Sequence, residues 1–321
     1  MKKTLFLVGA LLLSQGLFAQ TLKQGTLSNV KRLTSGTEKY ENPKWSPDGS
    51  MIAYTSFGYD GLYVMNSDGT SKAKISERQG VGYMYQWSAD SEEILVRDTR
   101  WDGGQAGKGL RHHAIFAVDL NANEVKMTED AEFMQPASWR YTLKGEKKIV
   151  APDAKVIKTT RSLKPVASKK LKAVLAQPAS KVSFIANGDE LIVVDEQGNT
   201  KTISNKTAFC PVLSPDGKKV AYNEVDDVVV MNIDGSGKKV LGIGFNPSWV
   251  NDSQIVFEKT TDDGHTYLSG DLYMVNVANG ATKQITATRN MIEMNPSVSP
   301  DGSKIVFQSF TDGQIYVADL K

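Results

Sequence analysis

Four stretches of the chain are copies of one another: NPKWSPDGSMIAYT (42 to 55), CPVLSPDGKKVAYN (210 to 223), NPSWVNDSQIVFEK (246 to 259) and NPSVSPDGSKIVFQ (295 to 308). Three weaker copies follow the same template: YQWSADSEEILVRD (85 to 98), ASWRYTLKGEKKIVAP (137 to 152) and AVLAQPASKVSF (173 to 184). A unit that recurs in this way cannot bury its apolar face alone and has to stack on its neighbours, so the repeat constrains the fold more than any other feature. The apolar anchors Trp45, Trp87, Trp139, Leu175, Leu213, Trp249 and Val298 are spaced by 36 to 52 residues, the length of a propeller blade.

Within each strong copy the Ser-Pro-Asp-Gly reverses the chain between two strands. Pro presets φ, Asp bonds its own backbone, and Gly takes positive φ. A second hairpin follows each copy, as in LYVMNSDGTSKAKIS (62 to 76), LIVVDEQGNTKTIS (191 to 204) and LYMVNVANGATKQIT (272 to 286). Two hairpins rich in Val, Ile and Tyr make one four-stranded sheet. The last copy has room for only three strands, and TLSNVKRLT (26 to 34) reads as a fourth. The expectation is an all-β propeller of four-stranded blades, closed by the N-terminal strand completing the last blade. The spacing favours seven blades and also allows six, because 137 to 204 matches poorly.

The first residues read differently. Lys2 and Lys3, the apolar run Thr4 to Leu13 and the small residues before Gln20 have the form of a secretory signal peptide at 1–19, leaving a single propeller domain at 20–321. That places the protein in the periplasm or outside the cell, with no membrane span. Of 38 Lys and Arg against 36 Asp and Glu, two basic residues fall in this segment, so the remainder is neutral. A neutral domain argues against a nucleic-acid partner. The lone Cys210, inside a strand pattern, reads as a small packed hydrophobe.

Repeated Asn-Pro-x-Trp-Ser-Pro-Asp-Gly followed by an Ile-Ala-Tyr type strand resembles the TolB-type WD-like repeat, over about residues 26 to 321. The resemblance implies a periplasmic binding role in the cell envelope, here without the α/β domain that precedes the propeller in TolB proteins. It is also similar to the oligogalacturonate lyase group, propeller enzymes that use His ligands for a metal. The peptidase relatives' Gly-x-Ser-x-Gly elbow is absent from this sequence.

In a four-stranded meander the tight turns fall on one rim, and the longer loops with the interblade connections fall on the other. The long-loop rim is the expected binding face. Its candidates are Arg100, Trp101, Arg111, His112 and His113 on the Gly-rich loop 98 to 113, His265 and Tyr267 on 259 to 271, and Tyr83 and Tyr85 on 77 to 86. Trp101 and the three tyrosines suit a platform for peptide or sugar. Residues 144 to 172 carry ten Lys or Arg against Glu146 and Asp153, a patch fit for an anionic partner.

The sequence thus reads as a non-catalytic protein- or glycan-binding scaffold that needs no cofactor and no metal. The alternative is a metal-dependent polysaccharide lyase or hydrolase built on His112, His113 and His265.

Overall fold

The computed structural model describes residues 27–103, 107–150, 156–157, 163–178, 181–186, 189–195, 197–288 and 290–321. The expected signal segment, 1–19, lies outside them.

The closing strand comes first, β1 (Leu27–Arg32). A four-stranded sheet follows: β2 (Tyr40–Trp45), β3 (Met51–Ser56), β4 (Asp60–Asn66) and β5 (Ala73–Ser76). The next holds β6 (Gln86–Trp87), β7 (Glu93–Arg97), β10 (Ile115–Asp119) and β11 (Glu124–Lys126). A ribbon of β8 (Arg100–Trp101) and β9 (Arg111–His112) rises between β7 and β10. Further on come two more four-stranded sheets, β18 (Ala208–Leu213) to β21 (Lys239–Ile243) and β22 (Phe245–Asn251) to β25 (Thr282–Gln284). Of the latter, β23 is Gln254–Asp262 and β24 is Tyr267–Asn276.

The last sheet is β26 (Glu293–Val298), β27 (Lys304–Ser309) and β28 (Gln314–Leu320), with β1 as its outer strand. Leu27 pairs with Leu320 and Arg32 with Tyr316, antiparallel. The closure predicted from TLSNVKRLT is therefore present, and the free edges of an open ring are paired off.

Central strands such as β3 and β20 (Asp227–Asn232) are apolar runs buried almost throughout, because each blade is covered on both faces by its neighbours. The Trp anchors lock neighbouring inner strands together. Trp87 Nε1 donates to the Lys44 carbonyl (3.2 Å), Trp139 Nε1 to Gln86 (3.1 Å) and Trp249 Nε1 to Val212 (3.0 Å). The Ser-Pro-Asp-Gly turn repeats to the atom. Ser46 donates its hydroxyl to Asp48 Oδ1 (2.8 Å), which also accepts the Ser50 N–H (3.0 Å), and Ser299 with Asp301 and Ser303 does the same at 2.6 and 3.0 Å. Gly49 and Gly302 take φ of 71° and 72°, as the turn requires.

The repeat is least regular where its sequence is weakest. Between 137 and 204 lie two separate sheets of three described strands each: β12 (Ser138–Tyr141) to β14 (Val156–Ile157), and β15 (Ser183–Ala186) to β17 (Thr200–Ser204). The strand expected around the Leu175 anchor is instead helix α1 (Ser168–Ala176). Its sequence SKKLKAVLA is rich in good helix formers, and Leu171, Val174 and Leu175 fall at helical spacing. Val174 and Leu171 pack with Ala89, Val166 and Tyr141 beneath the preceding blade.

The basic stretch is only partly a surface patch. Lys147 is buried, with its ammonium 2.7 Å from Asp90 and 2.8 Å from Glu93, both buried too. Lys170 pairs with Glu92. Among the described residues no helix is long and apolar enough to cross a membrane.

Candidate partner-binding rim

The two rims differ as the strand order requires. On the turn rim, Asp48, Ser67 and Asp301 line one shallow hollow of about 570 Å³. On the opposite rim the loops interlock: Gly82 donates its N–H to the Tyr59 carbonyl (3.0 Å) and Phe57 to Lys39 (2.9 Å).

Aromatic rings gather on this long-loop rim. Tyr267, at the start of β24, meets Phe310 edge-on with centroids 5.2 Å apart, and Phe310 meets Phe57 at 6.4 Å. Tyr59 meets Tyr83 at 6.4 Å. Phe57 is 60% exposed and Leu268 61%. Tyr267 and Tyr83 are thus part of an aromatic surface, but through Phe57, Tyr59 and Phe310, which sequence reasoning did not select. Each sits in a short connection between the middle strands of a blade, and exposed aromatics in such loops were the available signal.

Tyr85 does not reach the rim. It is 1% exposed, and its hydroxyl donates to the Asn42 carbonyl (2.6 Å), with that of Ala53 also within reach (2.9 Å). It is a core residue with a satisfied polar tip.

The ribbon carries the other candidates. Arg100 is clasped by Asp98 (2.9 Å) and Asp130 (2.6 Å), and Trp101 lies partly exposed opposite Arg111 in the ribbon register. Contacts with Lys126 and Arg100 hold the Asp130 carboxyl down at about 2.

The three histidines have three different settings. His112 Nε2 lies 2.8 Å from Asp102 Oδ1. His113 is buried, its Nδ1 2.9 Å from the Asp98 carbonyl, and burial lowers its pKa, favouring the neutral ring. His265 is exposed in the β23–β24 turn of another blade. Among the described residues no three His, Cys, Asp or Glu side chains group to hold a metal.

The inner strands carry a belt of polar groups that the motif did not reveal. Asn42, Cys210, Asn246 and Asn295, each opening a strong repeat copy, all take positive φ, between 49° and 54°. Asn246 Nδ2 donates to Asn295 Oδ1 (2.6 Å), Asn295 Nδ2 to Gln308 Oε1 (2.8 Å), and the Asn42 N–H to that same oxygen (2.8 Å). Asn accepts the left-handed conformation readily, which accounts for its recurrence at this position. Cys210 Sγ lies 3.6 Å from Asn246 Oδ1, and burial pushes its thiol up, which disfavours the thiolate. Glu258 lies under the belt with its carboxyl raised to about 7 by burial, and burial lowers the Lys44 ammonium to about 8.

The comparisons with known proteins agree with this architecture. Residues 169–321 match the family model PD40, the TolB beta propeller domain. The protein TolB homolog of Chlorobium luteolum is 27% identical over 37% of this chain and 28% of its own length. The Tol-Pal system protein TolB of Alcanivorax borkumensis is 34% identical over 22% of this chain and 17% of its own. The chain thus matches less than a third of either curated relative. Among solved structures, TolB from Agrobacterium tumefaciens superposes with a TM-score of 0.52 at 15% identity, covering 91% of this chain and 97% of that one.

Fold and repeat together define a β-propeller closed by β1, the first described strand. It resembles the TolB propellers, whose domain model matches residues 169–321.

Proposed function

We propose that this protein is a non-catalytic scaffold of the cell envelope, working outside the cytoplasm, that holds an envelope protein or glycan against its long-loop rim. The observation that carries the reading is the aromatic surface of Tyr267, Phe310 and Phe57. Solvent-exposed rings of this kind are favoured as binding anchors. The TolB likeness supports an envelope setting, and the signal-peptide pattern at 1–19 supports export. The separate settings of His112, His113 and His265 give the metal-dependent lyase reading no support.

The test is capture of partners from an envelope lysate by immobilised protein. Tyr267→Ala and Trp101→Ala should weaken capture while leaving the melting temperature within a few degrees, since both side chains are partly exposed. Capture unchanged by both substitutions would remove the rim from consideration.

A further inference from the structure

Four arginines meet at the corner of the long-loop rim where β7 ends, and they divide into two kinds. Arg78 is held by Asp98 (3.2 Å) and Glu124 (2.8 Å), and Arg100 by Asp98 and Asp130. Arg97 and Arg111 have no ion pair among the described residues.

Arg97 is the unusual one. Its guanidinium stands 4.4 Å from the centre of the Tyr83 ring and donates through Nη1 to the Met134 carbonyl (2.8 Å). Its Nε is buried with no hydrogen-bond partner. A largely covered guanidinium with an unused donor and no ion pair of its own is costly to keep, since charged groups leave water only when paired. The corner's acids make their direct contacts elsewhere, and Asp98 acts on Arg97 through its field alone. Asp98 is shared by two arginines and accepts the Ala114 N–H (2.8 Å), Asp130 is taken by Arg100 and Lys126 (2.5 Å), and Asp102 faces His112.

Arg111 comes from β9 on the ribbon and is exposed. Arg97 stands opposite Ile115 and Arg111 opposite Trp101 along one antiparallel pair of segments, with buried His113 between them, and both arginines disfavour the charge of that ring.

We propose that Arg97 and Arg111 form an oxyanion-recognition site at this corner, taking a carboxylate or a phosphate group. Arg97 is the fixed half, oriented by Tyr83 and Met134. Arg111 is the exposed half that closes on the anion. Planar guanidinium donors match both kinds of oxyanion, and the site sits beside the aromatic surface, where an acidic group of a bound partner would enter. The inference rests on the reading of this rim as the binding face.

The test titrates inorganic phosphate, and separately acetate, into the full protein while following the Arg97 Nε–H resonance, assigned by its loss in Arg97→Lys. The expected result is a saturable shift with at least one of the two anions, weakened about tenfold or more in Arg111→Gln. The anion with the tighter response tells phosphate from carboxylate. A shift that rises linearly without saturation, or a saturable one unchanged in Arg111→Gln, would overturn the site. Arg111→Gln alters an exposed side chain, so loss of fold does not obscure the outcome. Partner capture separates the two readings. Capture lost in Tyr267→Ala with no saturable anion response removes only the oxyanion site, whereas a saturable response with capture indifferent to Tyr267→Ala keeps the site and removes the rim scaffold.

Discussion

Tyr267 meets Phe310 with ring centroids 5.2 Å apart and planes at 81°, joining the long hairpin of one blade to the loop of the next. The contact lies across a blade boundary, so it bears on stability as well as on binding. Phe310→Ala is expected to lower unfolding free energy by roughly 1 kcal/mol beyond the loss of area, the usual worth of an edge-to-face pair. A double-mutant cycle with Tyr267→Ala, measured by urea denaturation, checks it, and a coupling near zero would contradict it.

The Trp anchors make a comparison within one molecule. Trp139→Phe removes a donor from the Gln86 carbonyl and should cost about 1 kcal/mol more than the lost ring volume, whereas Trp45→Phe should not. The indole N–H of Trp45 is buried without an acceptor. Equal losses in the two variants would show that the interblade bonds contribute nothing net.

Lys147 sits between Asp90 and Glu93 with all three side chains buried. Lys147→Met should cost about 3–5 kcal/mol, because it strands two carboxylates away from water. Adding Glu93→Leu should recover part of that loss, so the double variant is more stable than the sum of the singles. Additive losses would contradict this account.

Stability should fall as pH rises toward neutrality. Burial raises the Glu258 carboxyl from 4.5 to about 7 and that of Glu293 to about 8, so the folded state favours their protonated forms. That contribution is complete below about 4.5, the unfolded value, and is lost as pH rises through 7 to 8. Melting temperatures at pH 5 and pH 8 should differ more in the unmodified protein than in Glu258→Gln or Glu293→Gln. A Gln variant with the same pH dependence would discount that carboxyl.

How much of this could be read from sequence follows from what each feature needs. The hairpins, the ring and its closure through Leu27 to Arg32 depend on local turn chemistry and period-two apolar strands, both of which are written along the chain. The strand expected at Leu175 failed because helical and strand patterns compete in a short apolar run, and the Ala, Leu and Lys of α1 decided it. The site was half legible. Tyr83, Tyr267, Trp101, Arg100 and Arg111 lie in the long-loop rim region, whereas His113 is buried beneath it and Tyr85 belongs to the core. His112 and His113 are adjacent and so point to opposite sides, while Tyr85 precedes β6 outside any strand, where no period-two signal applies. Phe57 and Phe310 meet across blades, a pairing that only the closed ring creates.

The pairing of Leu27 with Leu320 also decides how the molecule can be held. Leu320 bonds back to Ser303 beside the tight turns, so Leu27 and Leu320 lie on the same face. Both residues stand on the side away from Tyr267 and Phe310, so a tether attached at either position would leave the aromatic surface free. Tension applied between the two positions would load that single outermost pair first, and the blade would open by unzipping from there.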